Sequence, residues 1–85
     1  MSYDIEITRS ARRSLLALPR DVQRRISTAI DGLAADPRPP GCRKLAGSES
    51  MYRRRVGDYR IVYEIRDDRL LIMVIKVGHR REVYR

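Results

Sequence analysis

Three consecutive β-type runs between Met51 and Arg85 do most to constrain the fold. They fall at about Met51–Val56, Tyr59–Arg66 and Leu70–Val77, and are divided by Val56-Gly57-Asp58 and Arg66-Asp67-Asp68-Arg69. Connections this short make antiparallel pairing the default. Side chains alternate along a strand, so spacing sorts them by face. In the middle run Tyr59, Ile61, Tyr63 and Ile65 share one face, and Arg60, Val62 and Glu64 the other. In the first run Arg53 and Arg55 share a face opposite Tyr52, Arg54 and Val56. The tyrosine and isoleucine set is expected to pack on helices, which sends Arg60 to an uncovered face where Arg53 and Arg55 join it if the register allows. The third run is apolar on both faces until Lys76, as in a strand with neighbours on both sides. Gly78-His79-Arg80-Arg81-Glu82-Val83-Tyr84 then leaves the sheet.

The first fifty residues read as the layer that covers this sheet. Tyr3-Asp4-Ile5-Glu6-Ile7-Thr8 alternates with period two, as a short strand that is either an edge or a partner of a later run. Ser10 is placed to cap a helix in which Ala11, Leu15 and Leu18 recur on one side, with Arg12 and Arg13 facing water, and Pro19 stops it. A second helix starts at Arg20, with Asp21 at the positive end of its dipole and Val22, Ile26, Ala29, Ile30 and Leu33 in one apolar stripe. Asp36-Pro37-Arg38-Pro39-Pro40-Gly41 cannot continue it, because proline lacks the amide donor and pushes the residue before it towards extended geometry. The order predicts an α+β domain, β-α-α-β-β-β, with a helical hairpin on one face of an antiparallel sheet.

With 85 residues, a single domain spanning 1–85 is expected, near the lower limit for a core without staples. One cysteine, Cys42, allows no internal disulfide and no multi-cysteine metal site, which fits a reducing cytoplasm. No apolar run is long enough to span a bilayer, and the N-terminus has no signal-peptide pattern, so neither membrane insertion nor export is expected. The formal charge is +8, and 17 of the 19 basic residues are arginine. Such an excess favours polyanion partners, and the planar guanidinium binds phosphate through two parallel bonds and stacks on bases.

The sequence Tyr52-Arg-Arg-Arg-Val-Gly-Asp-Tyr-Arg60-Ile-Val-Tyr63, with Lys44-Leu45 before it and Val77-Gly78-His79-Arg80 and Val83-Tyr84 after it, resembles the RelE/ParE superfamily of toxins, and more particularly its RelE branch. The resemblance covers nearly the whole chain. It implies a RelE-like fold and a ribosome-dependent endoribonuclease that cuts mRNA in the decoding site without a cofactor. It also implies silencing by a RelB-like antitoxin, whose binding element would be an acidic, amphipathic segment. Carried over by position, the family's catalytic surface falls on Arg53, Arg55, Arg60, Arg80 and Tyr84, with His79 beside them; in YoeB-like members a terminal His-Tyr pair contributes.

The chemistry is consistent with these residues. RNA cleavage without a metal requires a deprotonated 2′-OH in line with phosphorus, stabilised non-bridging oxygens and a protonated leaving 5′-oxygen. Arg55, Arg60 and Arg80 suit the second task, and Tyr84 can stack on a base. The family often has lysine where Arg53 and Arg55 stand, and arginine cannot take up a proton. The base therefore falls to another group: His79, the one side-chain type here that ordinarily exchanges a proton near neutral pH, or Tyr84. Glu82 is an alternative, more simply read as a partner of Arg81. Plainer readings exist for the arginines too: Arg53-Arg54-Arg55 as a charged edge strand, and Arg60 as an ion-pair partner of Glu64. Tyr52, Tyr59 and Tyr63 are assigned to packing. Two other functions fit the same fold, a ParE-like inhibitor of DNA gyrase and a catalytically weak antitoxin-binding module.

Overall fold

The apolar stripes of two helices cover one face of a five-stranded sheet. A computed structural model describes residues 2–79. In chain order the elements are β1 (Asp4–Ile7), α1 (Arg9–Leu16), α2 (Arg20–Leu33), β2 (Arg43–Lys44), β3 (Met51–Val56), β4 (Tyr59–Arg66) and β5 (Leu71–His79), with a single 3-10 turn at Asp67–Arg69. The strand order is β1-β5-β4-β3-β2. The α+β class and the β-α-α-β-β-β order are as the sequence predicts, and β5 lies between two neighbours.

Three details differ from the sequence reading. The sheet is mixed: β1 runs parallel to β5, pairing Ile5 with Ile72 and Ile7 with Val74. Tight turns oblige β3, β4 and β5 to alternate, whereas β1 reaches the sheet through the helices, and such a crossover permits parallel pairing. A two-residue strand, β2, pairs with β3 and is too short to show a period. The strand β5 also continues to His79, so Gly78 and His79 remain in the sheet.

Thr8, not Ser10, caps α1: its Oγ1 accepts from the Ala11 amide at 3.2 Å and donates to the Ile75 carbonyl at 3.1 Å. Ile75 sits where the β4–β5 register shifts, between the Val62–Lys76 and Tyr63–Val74 pairs. One residue thus ties the start of α1 to a β-bulge. The stripe of α2, Val22, Ile26, Ala29, Ile30 and Leu33, is buried throughout, against Ile61, Tyr63, Ile65, Ile72, Val74 and Val77 of the sheet.

The proline-rich linker is held down at several points. The Tyr63 ring is fully buried, and its hydroxyl donates to the Pro37 carbonyl at 2.8 Å. Tyr52 stacks on Tyr63 with centroids 6.1 Å apart, and the Arg38 guanidinium lies 5.2 Å from the Tyr52 centroid. Arg38 continues to Asp67 at 2.9 Å, and the Tyr3 hydroxyl donates to the same carboxylate at 2.6 Å. The hydrogen bonds from Arg38 and Tyr3 hold the Asp67 carboxyl below its usual range.

Candidate functional site

The helix-free face carries a concentration of arginine that the register brings together. Arg53 lies opposite Arg43 on β2, and Arg55 lies opposite Arg60 on β4. Directly opposed residues in an antiparallel pair point to the same face with Cβ atoms about 5 Å apart, and like charges so placed repel. On its other side Arg60 faces Gly78 of β5, which has no side chain to compete for the space above it.

These residues line a cleft of about 460 Å³ formed with the Pro40-Gly41 end of the linker; Arg43, Arg53, Arg54, Arg55 and Arg60 contribute, and no acidic side chain does among the described residues. Arg55 and Arg43 are exposed at the rim, and Arg53 is half-buried. Arg60 forms the floor: it is only 5% exposed, and its Nη1 donates to the Tyr59 carbonyl at 3.3 Å. A buried guanidinium is desolvated, which strengthens its attraction for an anion entering the cleft. The arrangement is suited to holding a phosphodiester by charge-assisted bonds.

The geometry refines the sequence reading. The helix-free face is not fully open, since Arg60 and Val62 are buried within it. The plainer reading of Arg60 as an exposed partner of Glu64 does not hold among the described residues, since the Glu64 Oε1 accepts from Arg66 at 2.6 Å. Arg53, Arg55 and Arg60 come together. His79 stands at the same end of the sheet but pairs with Tyr59, and the two rings meet edge to face at 5.6 Å on the helix-covered side. Arg80 and Tyr84 lie outside the described residues. Sequence reasoning missed Arg43 and Arg54 as cleft residues. The adjacent basic pair Arg43-Lys44 after a turn was the only signal for the first, and strand parity assigned the second to the opposite face.

Comparison with known proteins agrees with this architecture. The family described as ParE toxin of type II toxin-antitoxin system, parDE, matches residues 5–84. Toxin RelG of Mycobacterium tuberculosis is 35% identical over 100% of this chain and 99% of its own length. Among solved structures, the RelE–RelB complex of Pyrococcus horikoshii contains a chain with 30% identity and a TM-score of 0.84, covering 94% of this chain and 97% of that one. The isolated RelE toxin of E. coli superposes with a TM-score of 0.82 at 26% identity, covering 98% and 92%. A fold built of the same elements, a family match across almost the full length and a relative of this similarity together establish that the chain belongs to the RelE/ParE superfamily, the toxins of type II toxin–antitoxin systems.

Proposed function

We propose that the protein is a ribosome-dependent endoribonuclease that cuts translated mRNA without a metal, acting as one toxin domain. The observation that carries this reading is the arginine-rich cleft with the desolvated Arg60 at its floor. Like charges set directly opposite one another cost stability, and an anionic substrate would offset that cost. Guanidinium groups suit a reaction whose main demand is stabilising charge on phosphoryl oxygens. Among the described residues, the cleft lining presents no carboxylate, thiolate or imidazole that would serve a metal ion.

In this reaction the 2′-oxygen attacks the adjacent phosphorus, the new O–P bond forms as the bond to the 5′-oxygen breaks, and Arg53, Arg55 and Arg60 hold the non-bridging oxygens. A base removes the 2′-OH proton and an acid supplies one to the leaving 5′-oxygen, which leaves a 2′,3′-cyclic phosphate and a 5′-hydroxyl. Tyr84 is the candidate for one of these proton transfers and Arg80 would complete the anion clamp, while His79, whose ring meets Tyr59 on the helix-covered side, would have to turn across the end of the sheet to serve the other. A RelB-like antitoxin is the expected regulatory partner, since RelB accompanies RelE in the P. horikoshii structure.

The test is a translating extract with a defined mRNA. Wild-type protein should generate fragments with 5′-hydroxyl ends cut within codons, and Arg60→Ala should lower the rate by about 10²–10³-fold, the usual loss on removing one preorganised donor to a developing oxyanion. Uncut mRNA in the presence of wild-type protein would sink the proposal. The family match, described as a ParE toxin, favours a second reading, gyrase inhibition. That reading predicts loss of supercoiling by purified gyrase at stoichiometric protein, with Arg60→Ala as inhibitory as wild type.

A further inference from the structure

A second arginine cleft lies across β3 from the first, on the helix-covered side. It measures about 600 Å³ and is lined by Arg24, Arg25 and Thr28 of α2 and by Arg54, Arg55 and Gly57 at the end of the β3–β4 hairpin. Arg54 pairs with Ile61 and so leaves the sheet on the same side as the core residues. Its Nε is buried and, among the described residues, has no hydrogen-bond partner. A buried N–H without an acceptor is costly, and here the donor belongs to a charged group. Gly57 has φ +59°, and a Cβ there would stand 2.9 Å from Arg25 Nη2, so the absent side chain is what lets the Arg25 guanidinium lie over the turn. No acidic side chain lines this cleft either among the described residues.

The two clefts are joined. Arg54, Arg55 and Gly57 line both, so the basic surface passes round the tip of the hairpin from one face of the sheet to the other. A polynucleotide carries one charge per nucleotide along its backbone and can fill adjacent sites of one sign, whereas an acidic peptide would need carboxylates in matching succession. We propose that the Arg24, Arg25 and Arg54 cleft is a second phosphate subsite, which takes the backbone of the same single-stranded RNA at a nucleotide beyond the one held by Arg60. Arg54 would turn its Nε–H out of its buried position to a phosphate oxygen, with Thr28 and the two helix arginines around it. This subsite rests on the RNA reading for its ligand but contributes to binding rather than to bond cleavage.

The experiment uses binding to the isolated protein, so that it is independent of cleavage. Fluorescein-labelled 2′-O-methyl RNA oligonucleotides of about 4 and about 12 nucleotides, within the range of single-strand site sizes, are titrated by anisotropy at several salt concentrations. Each phosphate contact removed should reduce the slope of log affinity against log salt by about 0.7 for a single strand. Arg24→Gln/Arg25→Gln should therefore lower the slope for the longer oligonucleotide by about 1.4 and leave the shorter one unchanged. Arg24→Gln alone, at an exposed helix position that threatens no packing, should lower it by about 0.7. Equal slopes for variant and wild type on the longer RNA would overturn the subsite, as would wild-type protein that does not bind it at low salt. Loss of binding to an acidic helical peptide with RNA binding intact would overturn it as well and assign the cleft to a protein partner. A failure to cleave mRNA in extract bears on the catalytic reading and leaves these slopes to decide the subsite.

Discussion

Under the proposed function, Arg55 and Arg60 would serve an anion site at the expense of stability. They are directly opposed across β3 and β4, one exposed and one buried, and both are cationic. Opposed like charges destabilise a sheet by about 0.2–1 kcal/mol relative to neutral pairs. Arg55→Ala should therefore raise the melting temperature, most clearly at low salt where screening is least. The same substitution should weaken mRNA cleavage in extract. A variant that is both less active and no more stable would show that the repulsion is already offset within the protein. Individual residues were unevenly legible from sequence. Alternation put Arg53, Arg55 and Arg60 on one face correctly, because the β3–β4 register follows directly from a short turn at Gly57-Asp58. The depth of Arg60 was not legible, since burial on a helix-free face depends on neighbouring long side chains rather than on any period in the strand.

At the scale of elements, the bulge in β5 is the device that sequence periodicity could not show. Counting by two from Ile72 through Val74 puts residues 76 and 78 on the core side, yet the register shift at Ile75 places Val77 and His79 there instead. One extra residue reverses every side chain beyond it, and nothing in an all-apolar run marks the position. The helices were legible almost in full, because a 3.6-residue period over α2 leaves little freedom; the cap of α1 was misplaced, and α1 ends at Leu16, before the Leu18 that its stripe had included. Thr8 earns that position by bonding in two directions, to the Ala11 amide and to the Ile75 carbonyl. Thr8→Ala should cost about 1–2 kcal/mol, the upper part of the range for losing an N-cap, because the bulge loses a bond with it. Urea denaturation measures this, and Thr8→Ser should recover most of the loss. If Thr8→Ala proved neutral, the bulge would not depend on α1.

Over the whole molecule, stability depends on a linker that joins the helical layer to the far side of the sheet, and Tyr63 is its anchor. The ring is fully buried and its hydroxyl donates to Pro37, while the next linker residue, Arg38, reaches Tyr52 and Asp67. Burial raises the Tyr63 pKa well above the ordinary 10.0, with Cys42 reinforcing the shift. A tyrosine raised in this way remains protonated in the folded chain at pH values where the unfolded chain has already lost its proton. Folding is then linked to a bound proton, so the contribution is complete below pH 10 and falls as pH rises beyond it. Thermal melts between neutral and strongly alkaline pH should show this fall in wild type. Tyr63→Phe removes the ionisable group and should flatten the alkaline limb, while lowering stability near neutrality by about 0.5–1.5 kcal/mol for the lost bond to Pro37. An unchanged alkaline limb in Tyr63→Phe would assign the pH dependence to the other tyrosines and show that Tyr63 is not the group that links proton binding to the fold.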